Sequence, residues 1–325
     1  MTRFSLTFVA IAFAAALSFN AAAQVLGSGS HTPAAAGELT KKYQPIADRI
    51  IAETLKDNRA YDKLTELCDD IGHRLSGSKN LERAVDWAVA TLKRDRHENV
   101  RAEPVMVPHW VRGRESAEMI EPRHMELSML GLGGSVATPA EGITAEVVAV
   151  TDREELESLG EAVRGKIVVF NHAMPPYTEE RGTSYGTTVQ YRSNGAAWAA
   201  KNGAVAALIR SVTARSLRSP HTGAMRYEDG VTKVPTAAIS IEDADTIYRL
   251  CKRGVKVVIR LKMEARFEPD APSANVVAEL RGREKPEEVV VIGGHLDSWD
   301  VGQGAHDDGG ACIAAWHALL AIKEL

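Results

Sequence analysis

VVVIGGHLDSWDVGQGAHDDGG, residues Val289–Gly310, is where the fold and the chemistry of this chain meet. It opens on the β-branched run Val289 to Ile292 and meets no polar residue before His295. Such a run reads as a central strand buried on both faces, as in the parallel sheet of an α/β domain. In those sheets, ligands bind beyond the carboxyl ends of the strands. His295 and Asp297 stand at that end. A glycine-rich loop follows, which lets the backbone bring His295 and Asp307 toward one point. The next helix begins near Gly309, so Asp307 and Asp308 fall where free helix N–H groups point outward.

One imidazole and several carboxylates in one place suit a divalent metal, and zinc fits that donor set. A ligating His commonly passes its second N–H to a carboxylate, and Asp297 is placed to receive it. A single Asp can bridge two metals about 3.5–4 Å apart, an arrangement that activates water for hydrolysis. The plainer reading is an aspartate N-cap beside a hydrogen-bonded His, and spacing alone leaves both open. His306 abuts Asp307, while His317 falls in mid-helix and reads as surface or packing.

The rest of the sequence sets the frame. At 325 residues the chain is long enough for about two domains. Its 25% charged and 45% hydrophobic residues are those of a folded globular protein. A net charge of −4 offers no basic field for nucleic acid. The N-terminus, MTRFSLTFVAIAFAAALSFNAAAQ, carries Arg3, an apolar run from Phe4 to Phe19 and then small residues. That order is a secretory signal with cleavage near Ala23, and a run of about 16 residues is short for a bilayer span. The expected location is therefore secreted or periplasmic, without stable membrane insertion. Cys68, Cys251 and Cys312 form neither a disulfide framework nor a zinc ribbon, and Cys312 reads as a small packed hydrophobe.

Along the chain, residues 1–23 read as the signal and the following stretch to residue 37 as a tether. Residues 24–125 read as the N-terminal part of the larger domain, with three helices. The first has Ile46, Ile50, Ile51 and Leu55 on one face; the second has Leu64, Leu67, Cys68 and Ile71; the third has Leu81, Val85, Ala88, Val89 and Leu92. A strand interrupted by Pro104 and Pro108 suits a sheet edge. Residues 126–265 read as a β-rich insert with its own short helices, including buried strands at Ile167–Phe170 and Val205–Ile209. Residues 266–325 return to α/β style, ending in a helix with Ile313, Trp316, Leu319, Leu320 and Ile322 to bury.

The stretch GGHLDSWDVGQGAHDDGG resembles the zinc-binding segment of the M28 family of co-catalytic zinc exopeptidases, and within it the carboxypeptidase Q branch. LCDDIGHRLSGSKNLERAVDWAVATL, Leu67 to Leu92, resembles that family's N-terminal segment with its G-x-R-x-x-G-S loop. The region from Glu126 to Met263, with GKIVVF and NGAVAALI, resembles a protease-associated insert. The resemblance implies an α/β fold, a mostly parallel zinc-exopeptidase sheet flanked by helices, incomplete within these residues, plus an inserted β-rich protease-associated domain. It implies His295 and Asp307 as metal ligands, Asp307 bridging two zinc ions, and Asp297 orienting His295. Asp308 has no metal role by this match. Ala311 stands where near relatives carry a third glycine.

The implied activity is secreted, zinc-dependent hydrolysis of dipeptides or short peptides, of carboxypeptidase or aminopeptidase type. The family's Glu-Glu pair, further Asp and final His have no counterpart after Asp308, so this chain by itself reads as an inactive fragment. The alternative is a non-enzymatic binding module carried by the protease-associated domain. The implied partner is a short peptide, with homo-oligomerisation left open.

Overall fold

The computed structural model describes residues 37–215 and 217–325. The expected signal and most of the tether lie outside the described residues. The chain begins with α1 (Glu38–Thr54) and α2 (Arg59–Thr65), which widens into a π-type turn over Glu66–Ile71. Next comes α3 (Lys79–Arg94), whose start is fixed by Ser78, as its Oγ accepts the Leu81 N–H at 3.2 Å. Leu81, Ala84, Val85, Ala88 and Leu92 recur at helical spacing on α3 and are all buried.

The strand β1 (Glu98–Val111) leads away from this helical region, and β10 (Arg266–Glu279) leads back. They pair antiparallel from Glu98 opposite Glu279 to Val111 opposite Arg266. An inserted module needs its entry and exit strands side by side, and this ribbon supplies that. Among the described residues β1 pairs with β10 alone, so Pro104 and Pro108 sit on an edge strand, where proline is tolerated.

Between them lies an eight-stranded mixed sheet of order β3-β2-β9-β5-β6-β7-β8-β4. Its strands are β2 (Glu115–Glu121), β3 (Met125–Glu126), β4 (Met129–Gly131), β5 (Ile143–Val150), β6 (Ile167–Phe170), β7 (Ala206–Arg210), β8 (Thr236–Ile239) and β9 (Val258–Met263). β5, β6, β7 and β8 run parallel to one another, and the pairs β2–β9, β5–β9 and β4–β8 are antiparallel. Strand periodicity sends alternate residues to opposite faces. Ile167, Val169, Leu208 and Ile239 pack with Ala244 and Ile247 of α6 (Ile241–Lys252) on one face. Val168, Phe170, Ile209 and Ala238 pack with Leu156 of α4 (Arg153–Leu159) and Tyr191, Ala196 and Ala199 of α5 (Tyr185–Lys201) on the other.

Two sequence expectations are overturned. Val289–Ile292 is not a buried central strand: it has no strand pairing, and Val289, Val290 and Val291 are 80%, 87% and 88% exposed. A strand holds where both its peptide groups and its side chains find neighbours, and no described strand pairs with this segment. The segment instead lines one side of an open groove of about 1210 Å³, facing β10, α3 and the last helix, α7 (Gly310–Glu324). Ile46, Ile51 and Leu55 of the first helical stretch are likewise exposed, and only Ile50 of that expected face is half-buried, although α1 meets α7.

α7 buries Cys312, Ile313, His317, Leu320 and Ala321, while Ile322 points outward. His317 is a packing residue, its Nε2 lying 3.3 Å from the Thr54 carbonyl oxygen. Cys312 behaves as a small hydrophobe: burial first, and the Asp308 charge second, push its thiol up to about 11. At pH 8, iodoacetamide is therefore expected to leave Cys312 unmodified in the folded chain and to label it once the chain is denatured, as peptide mass spectrometry would read.

Candidate functional site

The loop from Leu296 to Gly304 is organised around one side chain, Arg74, which is fully buried. Arg74 follows the π-type turn that ends at Gly72. Its Nε donates to Leu296 O at 2.7 Å, Nη1 to Gly72 O at 2.6 Å and Gln303 O at 2.7 Å, and Nη2 to Gly304 O at 3.1 Å. Its backbone N–H donates to Ser298 Oγ at 3.0 Å, and its carbonyl accepts the Ser298 N–H at 3.0 Å. The fork geometry of a guanidinium satisfies several carbonyls at once, which no other side chain does. Burial lowers the Arg74 pKa from its ordinary value, against the pull of Cys68, Cys312 and Asp297. Gly304 is required here: its φ is +61°, and a Cβ would lie 2.3 Å from Ser298 Cβ and 2.8 Å from Arg74 Nη2.

This scaffold brings the sequence-derived residues together. His295 Nε2 lies 2.9 Å from Asp307 Oδ1. Its Nδ1 lies 3.0 Å from the Asp297 carbonyl oxygen and 3.2 Å from Asp297 Oδ1. Asp308 turns the other way, and its Oδ2 accepts the His295 backbone N–H at 3.3 Å. The Asp307–Asp308 peptide is cis, and both residues have non-helical backbone angles just before α7 begins. His306 is exposed. Partial burial pulls the His295 imidazolium down, but Asp297 and Asp307 outweigh it and raise its pKa above the ordinary histidine value.

As a zinc site, this is one nitrogen and one carboxylate facing each other, with the imidazole fixed from behind. The donor types fit zinc. The count is short: among the described residues no group of three or more His, Cys, Asp or Glu side chains is arranged to hold a metal ion. Both donors face outward, with His295 51% and Asp307 75% exposed, so they are open to further ligands.

A second arrangement, invisible in the sequence, ties the loop to the insert. Arg112, at the top of the ribbon, donates from Nε to Asp300 Oδ2 at 2.7 Å and from Nη2 to Asp300 Oδ1 at 2.6 Å. Its Nη1 donates to the Gly131 carbonyl on β4, whose N–H is accepted by the Glu115 carboxylate at 3.0 Å. Burial raises the Glu115 pKa, opposed by the Gly131 N–H and by Arg112. Between the loop and the insert lies a cleft of about 430 Å³, with His295, Asp297 and Asp307 on one side and Trp110, Met225 and Phe267 on the other. Trp110 is also buried core, its Nε1 donating to Ser135 O at 2.9 Å.

The sequence profile of peptidase family M28 matches residues 275–324, across the loop just described, and that of the PA domain matches residues 139–247. Carboxypeptidase Q from Bos taurus is 52% identical over 286 residues, 87% of this chain and 59% of that protein. The chain belongs to peptidase family M28. The M28 assignment extends to the solved structure of a peptidase M28 precursor from Shewanella amazonensis, which is 39% identical, with a TM-score of 0.80 over 86% of this chain and 64% of that one. A zinc aminopeptidase from Bacillus subtilis shares the fold, at 17% identity and a TM-score of 0.57 over 82% of this chain and 58% of that one. The chain thus spans about three fifths of the length of the M28 relatives it matches. Its α/β architecture with a PA domain is that of the family.

Of the residues singled out from the M28 resemblance, His295, Asp297 and Asp307 are gathered within hydrogen-bonding reach. Arg74 and Arg112 carry structural roles that sequence reasoning did not assign. Arg74 had one usable signal, as the arginine of a glycine-bounded G-x-R-x-x-G-S loop. Arg112 had none.

Proposed function

We propose that these residues form one half of the active site of a zinc-dependent exopeptidase acting on dipeptides or short peptides. The observation that carries this reading is the facing pair His295 Nε2 and Asp307 Oδ1, 2.9 Å apart at the mouth of a peptide-sized cleft. His295 would hold one zinc through Nε2, Asp307 would bridge to a second, and Asp297 would fix the imidazole ring. When bound, zinc polarises the scissile carbonyl and lowers the pKa of a water to near neutrality. Arg74 holds the loop so that the two donors face the same space, and the cleft walls exclude water from a bound apolar side chain. Support for zinc comes from the donor chemistry and from the fold shared with a protein named as a zinc aminopeptidase.

A catalytic zinc takes three protein ligands and a water, and these residues offer each zinc two at most. The proposal therefore has the 325-residue chain inactive by itself, with the remaining ligands and the general base supplied from residues outside it. The N-terminal sequence supports export to the periplasm or medium, with cleavage near Ala23. Among the described residues, no helix is long and apolar enough to cross a membrane.

The test is hydrolysis of dipeptides by the zinc-loaded peptidase with its full ligand set. Activity lost to a chelator and restored by zinc is the expected result, and chelator-resistant hydrolysis would sink the reading. A finer expectation concerns Asp297. Asp297→Asn keeps the shape but weakens the hold on the imidazole, so zinc affinity should fall about 10–100-fold, as competition against a chromogenic chelator would measure.

A further inference from the structure

The loop that carries His295 and Asp307 meets the insert at Trp299 and Gly133. A Cβ placed on Gly133 would lie 2.2 Å from Cη2 and 2.4 Å from Cζ3 of the Trp299 indole. The ring occupies the space that any side chain at position 133 would need. Neither side is free to retreat. The Gly133 N–H donates to Gly223 O at 3.0 Å, and its carbonyl accepts the Met225 N–H at 2.9 Å. On the loop, Trp299 sits between Ser298, bonded to Arg74 in both directions, and Asp300, gripped by two nitrogens of Arg112. The open direction for the ring is the cleft, which Trp299 and Gly133 both line together with His295 and Asp307.

We propose that Gly133 and Trp299 act as a size gauge for the substrate: they set the bulk of the apolar side chain accepted beside the scissile bond. This rests on the peptidase reading above, and it assigns the protease-associated insert a direct part in side-chain selection. Leu75, Met225 and Phe267 give the same cleft an apolar lining, which favours an aliphatic or aromatic side chain over a charged one. The indole edge forms the wall, and the absent side chain at Gly133 keeps that wall out of the pocket.

Gly133→Ala pushes the indole toward the substrate. Each methylene of misfit in an apolar pocket is worth about 10–200-fold in discrimination. For the zinc-loaded peptidase, kcat/KM on dipeptides with leucine- or phenylalanine-sized side chains should fall by about tenfold or more, and on alanine-sized ones by less than about threefold. Trp299→Phe alone should shift preference toward the larger side chains, and Gly133→Ala/Trp299→Phe should recover the bulky substrates. Recovery by the second change separates a gauge from a folding defect.

A second arm needs no metal. Titration of the metal-free 325-residue chain with a leucine-containing dipeptide, read by tryptophan fluorescence, should give a Kd at least about tenfold weaker for Gly133→Ala, with little change for a glycine-containing one. Equal losses for large and small side chains in both arms would overturn the gauge. Should the parent protein hydrolyse no dipeptide while the size-dependent binding persists, the peptidase reading fails and the gauge stands.

Discussion

Asparagine in place of Asp307 is expected to lower kcat/KM of the zinc-loaded peptidase by about a thousandfold, with the melting temperature of the apo chain unchanged. The first half follows from charge. Asparagine keeps the shape of the side chain and one acceptor oxygen, but it removes the negative charge that would draw two cations together. Metal stabilisation of the transition state is worth several kcal/mol, and each 1.36 kcal/mol is tenfold in rate. Losing about 4 kcal/mol gives the stated factor. The second half follows from exposure: Asp307 is 75% exposed, and surface substitutions of this kind usually stay within about 0.5 kcal/mol. Steady-state kinetics on one dipeptide, with differential scanning of the apo chain, reads both. A large drop in melting temperature would make Asp307 a structural cap rather than a ligand.

Arg74→Met should do the reverse, removing stability first. Methionine fills much of the same volume but donates nothing, so the carbonyls of Leu296, Gly72, Gln303 and Gly304 each lose an Arg74 donor around a side chain that is itself fully buried. Removing one partner from a buried, charge-assisted set typically costs about 3–5 kcal/mol. Arg74→Lys keeps the charge but has three donors on a single nitrogen, which cannot reach carbonyls spread around a planar fork. It should lie between the parent and the methionine variant. Urea unfolding of the 325-residue chain measures all three, and a methionine variant within 1 kcal/mol of the parent would remove Arg74 from its place as organiser of the loop.

Much of the fold was legible because its signals are local. Leu81, Val85, Ala88 and Leu92 at helical spacing announce α3, and Ile167–Phe170 announces a buried strand. Val289–Ile292 carries the same kind of signal and yet lies open. The difference is not in the residues: β6 has β5 and β7 beside it, and Val289–Ile292 has no paired strand among the described residues. An apolar run states that burial is needed but not what provides it. The same reasoning applies to Ile46, Ile51 and Leu55 on the first helical stretch.

The site divides along similar lines. His295, Asp297 and Asp307 were legible because metal-binding chemistry restricts residue type and spacing within one loop. Arg112 was not, and Arg74 only as the arginine of its glycine-bounded loop, because their partners are mostly backbone carbonyls or lie far along the chain. Asp300 is 188 residues from Arg112, and hydrogen bonds to carbonyl oxygens leave no trace in the identity of the accepting residue. Gly133 is a similar case, since what demands a glycine there is an indole from another part of the chain.

The central claim is that His295 and Asp307 face one another in order to share a metal site. The most direct measurement is an anomalous difference map, collected at the zinc edge, from crystals of the full-ligand-set protein grown with zinc. The account predicts a peak within about 2.0–2.2 Å of both His295 Nε2 and an Asp307 carboxylate oxygen, with a second peak about 3.5–4 Å away on the other Asp307 oxygen. Zinc bound elsewhere, with His295 and Asp307 still joined by their direct hydrogen bond, would contradict it.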